Sequence, residues 1–157
     1  MNGAGPPYNR MELTERIHCR GHPLVRATHP TTFEVTAEGH LTRQGDCIIG
    51  TGADRGPSGL PAEFRRALAD DRAVLVTRLS AGGHTVEVRG RGSPRMTLAH
   101  PTDLVWRRSS FVCPRTVAIL CDRTAATLPR ALVAALREGA ELVVELRVVT
   151  EEEPTPP

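Results

Sequence analysis

The sequence predicts an α+β, β-rich fold of about ten strands and two amphipathic helices, arranged as two pseudo-repeated halves. Three observations carry that expectation. Short apolar–polar alternations fill most of the chain, two segments keep the helical period instead, and polar motifs recur in the same order in both halves. The chain has 157 residues, 39% hydrophobic and 24% charged, and is expected to form one globular domain over 11–150. Residues 1–10, which carry Pro6 and Pro7 and no apolar period, and the acidic, proline-ended 151–157 are expected to be tails.

In chain order, Leu13, Glu15, Ile17 and Cys19 alternate with Thr14, Arg16 and His18, and Phe33 and Val35 alternate with Thr32, Glu34 and Thr36. Both read as strands, and Cys47 to Ile49 reads as a short buried one. Ala73 to Leu79, a small-residue turn at Ser80-Ala81-Gly82-Gly83 and Thr85 to Val88 form a predicted hairpin. Further strands are expected at Met96 to Ala99, Leu104 to Trp106, Val117 to Cys121 and Leu142 to Val149. Two helices are expected where Leu60, Phe64, Ala67 and Leu68, then Leu128, Leu132, Ala135 and Leu136, recur at helical spacing. Pro61 and Pro129 fit their first turns, where a missing N–H costs nothing, and Gly139 supplies a stop.

The helices lie 68 residues apart, and residues 54–76 match 122–144 at seven of 23 positions, including Asp54-Arg55 with Asp122-Arg123 and Leu60-Pro61 with Leu128-Pro129. Upstream, Arg20-Gly21 aligns with Arg89-Gly90, and His29-Pro30-Thr31 with His100-Pro101-Thr102. The halves implied are about 13–80 and 84–150, packed about a local two-fold.

These motifs supply the candidate site. Each histidine precedes a proline, which biases it to an extended backbone, and an imidazole serves as acid, base or anion ligand. Asp54-Arg55 and Asp122-Arg123 sit between a strand and a helix, where an arginine grips phosphate or carboxylate with two parallel hydrogen bonds and an aspartate caps a loop. Asp103 follows the second His-Pro-Thr where Thr32 follows the first, so His100 with Asp103 is the acid–base pair of an enzymatic reading, with His29 and Asp46 as the other pair. Cys47 reads as a small buried hydrophobe before a nucleophile. His18, Cys19 and His22 fail as a metal site, since a strand sets residues 18 and 22 about 13 Å apart. No metal and no cofactor is expected.

Composition narrows the classes. All 20 basic residues are arginine, which excludes Schiff-base chemistry and a P-loop lysine. A net charge of +2 does not announce nucleic acid, and Arg89, Arg91, Arg95, Arg107 and Arg108 read as a solvated basic surface. Tyr8, Phe33, Phe64, Trp106 and Phe111 are too few for a base-stacking platform. No apolar run approaches membrane-spanning length, and Cys19, Cys47, Cys113 and Cys121 form no C-x-x-C pair, so a cytoplasmic protein with reduced, mostly buried thiols is expected.

The stretches HCRGHPLVRATHPTTFEVT, LTRQGDCIIGTGADR, LAHPTDLVWRRSSFVC and CDRTAATLP together resemble an archaeal family known as domain of unknown function 371, over residues 13 to 149. The resemblance implies a sandwich- or barrel-like fold with helices, and no activity, cofactor or catalytic residue. Where that family has lysine after its aspartates this chain has Arg55 and Arg123, which removes any role needing a neutral amine and keeps an anion-binding one. The leading expectation is therefore a site for an anionic ligand, a phosphorylated metabolite or an RNA phosphate, lined by His29, Thr31, Asp54, Arg55, His100, Thr102, Asp122 and Arg123. A hydrolase or lyase using His100 with Asp103, and a scaffold whose motifs only hold turns, are the alternatives.

Overall fold

A computed structural model describes residues 10–41 and 45–151. The chain runs β1 (Arg10–Arg20), β2 (Thr32–Thr36), β3 (Ile48–Gly50), α1 (Ala62–Leu68), β4 (Ala73–Ala81), β5 (His84–Arg91), β6 (Asp103–Arg107), β7 (Thr116–Ala118), α2 (Arg130–Arg137) and β8 (Glu141–Glu151), with 3-10 turns at Pro57–Gly59 and Ala125–Thr127. β1 starts at Arg10 and β8 ends at Glu151, so the rest of each expected tail lies outside the described residues.

The strands make two sheets of four, β1-β8-β4-β5 and β3-β2-β6-β7. The first is antiparallel throughout. In the second an antiparallel β2–β6 pair is flanked by β3 and β7, each parallel to its neighbour. Single bridges at Arg20–Thr51 and Arg91–Ile119 join the sheets at their corners. They do not extend into ladders, so the fold is a sandwich and the barrel is not closed.

Side chains alternate across a strand, so one face of each sheet fills the space between them. Phe33 and Trp106, opposite each other in the β2–β6 register, stack at 4.7 Å, and the Trp106 indole N–H donates to Thr77 Oγ1 on β4 at 2.9 Å. Ile17, Leu75, Leu79, Val144, Leu146 and Val148 close the core from the first sheet. α1 packs on β1, β4 and β8, and α2 on β3, β4 and β5.

Eight strands form among the described residues where about ten were expected. Met96 to Ala99 is a loop: Met96 and Leu98 are buried, but Leu98 has φ 51°, which an extended strand cannot contain. The apolar alternation there comes from a loop packed into the core. The strand expected at Val117 to Cys121 ends at Ala118, because Leu120 also has a positive φ, 53°. Pro61 and Pro129 are the N-cap residues, and Leu60 and Leu128 close the preceding 3-10 turns. Gly139 stops α2 as expected, at φ 83° with its N–H on the Leu136 carbonyl.

Arg20 and Arg91 each form a corner bridge and each precedes a glycine, Gly21 or Gly92. A Cβ on Gly21 would strike the Leu136 carbonyl, and one on Gly92 the Leu68 carbonyl. Each strand exit thus passes directly against the last turn of a helix, a closeness only glycine allows.

Candidate functional site

The antiparallel β2–β6 pairing sets Thr32 opposite Arg107 and Thr36 opposite Asp103, so the two His-Pro-Thr motifs, each just before its strand, stand at opposite ends of that pair. Each docks against the other half of the chain. Ser58 donates its N–H to the His100 carbonyl, and a Cβ on Gly56 would strike Pro101, which sets His100-Pro101-Thr102 beside Asp54-Arg55. Likewise Ala126 donates to the His29 carbonyl, just after Asp122-Arg123.

Most of these side chains are already hydrogen-bonded, His29 and Arg123 within their own turns and Asp54, Arg55 and Asp122 to a neighbouring strand. His29 Nδ1 accepts the N–H groups of Thr31 and Thr32, both at 3.2 Å, and contacts the Thr31 and Thr32 hydroxyls at 3.4 and 3.1 Å. Asp54 Oδ1 accepts the His18 N–H at 3.4 Å, and Asp122 Oδ1 the Arg89 N–H at 2.9 Å, each tying its own loop to a neighbouring strand. Arg55 Nη2 donates to Glu15 Oε1 and the Arg16 carbonyl, both at 2.7 Å, and Arg123 Nη1 donates to the Thr127 carbonyl at 2.9 Å. Asp46 gives its backbone carbonyl to the N–H groups of Thr28 and His29.

His100 differs. Its Nδ1 accepts the N–H groups of Thr102 at 3.2 Å and Asp103 at 2.9 Å, which leaves the proton on Nε2, 4.0 Å from Asp103 Oδ2. Asp103 opens β6 on the sheet face turned away from the core, and there it joins a cluster that the motifs did not announce. Thr36 and Thr102 hydroxyls donate to its Oδ1 at 2.8 and 2.9 Å. Arg115 Nη1 lies 3.4 Å from Asp103 Oδ2 and 3.6 Å from Oε1 of Glu34, a mid-strand β2 residue only 6% exposed. Cys47 donates its thiol to the same Glu34 oxygen at 3.7 Å. Half-buried and hydrogen-bonded, Cys47 is a polar member of this cluster and not the plain hydrophobe expected.

The two carboxylates titrate apart. Burial, followed by the Asp103 charge, pushes Glu34 up to about 6 against the pull of Arg115. Burial also acts to raise Asp103, but the hydroxyls of Thr36 and Thr102 and the charges of His100 and Arg115 outweigh it and hold this carboxylate below its ordinary value. Two thiols are split in the same way. Burial, then Glu34 and Asp46, pushes Cys47 up to about 11. At Cys113 burial is overcome by the Arg115 N–H, the Thr116 hydroxyl and the Arg107 and Arg115 guanidinium groups, which bring the thiol down to about 7. Arg107 Nη2 lies 3.3 Å from Cys113 Sγ, and its guanidinium stacks 4.9 Å over the exposed ring of Phe111.

Sequence reasoning missed Glu34, Arg107, Cys113 and Arg115. Glu34 sits in Thr-Phe-Glu-Val-Thr, where it reads as an ordinary outward residue of a half-exposed strand. Cys47, just before β3, and Arg115, just before β7, both contact it, and it is buried. Among the described residues no group of three or more His, Cys, Asp or Glu is placed to hold a metal ion.

Comparison with known proteins agrees with the motifs. Residues 17–149 match the family described as Domain of unknown function (DUF371). An uncharacterized protein of Methanocaldococcus jannaschii is 38% identical over 132 residues, covering 84% of this chain and 97% of the relative.

Proposed function

The chain belongs to the domain of unknown function 371 family, and within that family we propose that it is an enzyme of hydrolase or lyase type, acting by acid–base chemistry on a small anionic substrate at the outer face of β2 and β6. One observation carries this reading: Glu34 and Asp103, joined through Arg115 at 3.6 and 3.4 Å, titrate in opposite directions. Environments that drive two carboxylates apart assign one as proton carrier and the other as fixed charge. Glu34 gives and takes the proton, Asp103 stays ionised and orients the Nε2–H of His100, and Arg115 anchors the substrate's anionic group. Cys113 is the thiolate available at the rim.

Of the residues the sequence singled out, His100, Thr102 and Asp103 enter this site. His29, Thr31 and Arg123 are assigned to holding turns, and Asp54, Arg55 and Asp122 to tying loops onto a neighbouring strand, in keeping with their hydrogen bonds. A small molecule suits the site better than RNA: Phe33, Phe64 and Trp106 are buried, and Phe111, the one exposed phenylalanine among the described residues, is stacked on Arg107. No helix of the described residues is long and apolar enough to cross a membrane, and free thiols at Cys47 and Cys113 suit a reducing cytoplasm. We also read the halves as a tandem duplication. The recurring order of three strands, a 3-10 turn, a helix and a strand supports it, as does φ 51° at both Ala27 and Leu98, two residues before each histidine.

The test is turnover across a panel of small carboxylates and phosphate esters. A substrate of the wild type is expected to lose at least about 100-fold in rate with Glu34→Gln while the melting temperature holds. His29→Ala is expected to keep the rate of the folded fraction. Full activity in Glu34→Gln would sink the assignment.

A further inference from the structure

Where β1 begins and β8 ends, two concavities share Arg10 and Arg72 as a common wall. The smaller, about 300 Å³, has Val74, Val76 and Val149 as its floor and Arg10, Arg72, Arg89 and Arg147 around it. The strand register makes this arrangement. Val76 of β4 lies opposite Arg147 of β8 on one side and Arg89 of β5 on the other. The two arginines therefore flank one valine in a row across three strands, with Cα atoms about 10 Å apart. The larger concavity, about 590 Å³, adds Met11, Arg66, Ala67 and Thr150.

Charge and polar satisfaction both favour an anion. The acidic neighbours are already engaged: Asp70 accepts Arg72 at 2.9 and 3.2 Å, and Glu12 lies 3.0 Å from Arg10 and 3.9 Å from Arg147. Glu63 is the remaining carboxylate of the larger concavity. Among the described residues the guanidinium groups of Arg66 and Arg89 have no hydrogen-bond or ion-pair partner. The Thr150 hydroxyl is buried and also unpartnered, a costly state in a residue that lines a cavity. Several guanidinium forks around an apolar floor match a phosphate dianion attached to an apolar body.

We propose that this end of the first sheet is a second ligand site, which takes a small organic phosphate: the phosphate between Arg89 and Arg147 over the valine floor, the organic part toward Met11, Ala67 and Thr150. The site lies on the sheet that the acid–base face does not use, so the two assignments stand or fall separately.

Calorimetric titration of the full chain with inorganic phosphate and with phenyl phosphate tests it. Phenyl phosphate is expected to bind about tenfold more tightly than phosphate, because only its ring reaches the apolar surface of Met11 and Ala67. Arg89→Ala and Arg147→Ala are each expected to weaken it about tenfold, with Glu34→Gln without effect. No binding of either probe, equal binding of the two, or an affinity unchanged in the Arg89→Ala, Arg147→Ala double variant overturns the proposal.

Discussion

At Glu34 the folded protein keeps its proton up to about 6, whereas the unfolded chain releases it near the ordinary 4.5. Stability is therefore greatest below 4.5 with respect to this group and falls as the pH rises through that window, by about 2 kcal/mol in all. Glu34→Gln removes the slope, so urea unfolding should find the variant less sensitive to pH than wild type between 4.5 and 6. Parallel curves would show that Glu34 does not titrate there. The cysteines supply a second prediction with an internal control. Cys113 is expected to react with iodoacetamide with a midpoint near pH 7, Cys47 only far above it, and the buried Cys19 and Cys121, pushed up to about 12, not at all in the folded state. Arg107→Met should move the Cys113 midpoint toward its ordinary 9.0. Mass spectrometry across pH reads all four sites at once, and Cys47 labelling as fast as Cys113 would contradict the account.

Between strands and helices, the close contacts decide what each connection tolerates. Gly21→Ala and Gly92→Ala each force a methyl onto a helix carbonyl, and a loss of about 3 kcal/mol in denaturant unfolding is expected for either. Adjacent substitutions such as Arg20→Ala are expected to cost far less. The turn before β2 depends on His29 Nδ1, which accepts two backbone N–H groups. His29→Ala leaves both unpaired and is expected to cost about 1–2 kcal/mol. Strand and helix positions were legible because alternation and helical spacing report which face is apolar. Met96 to Ala99 misled for a physical reason: a buried loop alternates too when each second side chain points inward, and only the backbone dihedral at Leu98 separates the two cases.

Across the whole molecule, neither half holds its own sheets. β1 pairs with β8, β4 with β8 and β2 with β6, all across the midpoint of the chain. A fragment of residues 10–82 alone is expected to lack cooperative unfolding by circular dichroism, and mixing it with 83–151 to restore it. A stably folded fragment would show that the cross-pairings are dispensable. The same crossing explains how much of the site could be read in advance. By itself the sequence determined a β-rich chain with two helices, its core faces and the absence of lysine, because these follow from residue identity and short-range period, and it named His100 and Asp103 as candidates. It also marked His29, Asp54, Arg55, Asp122 and Arg123, whose hydrogen bonds stay within a turn or reach a neighbouring strand. Glu34, Arg115, Arg107 and Cys113 became a cluster only through tertiary structure. Their proximity depends on which strands lie side by side and which loops fold over the sheet, and the shifts of Glu34 and Cys113 arise from burial and from charges distant in sequence.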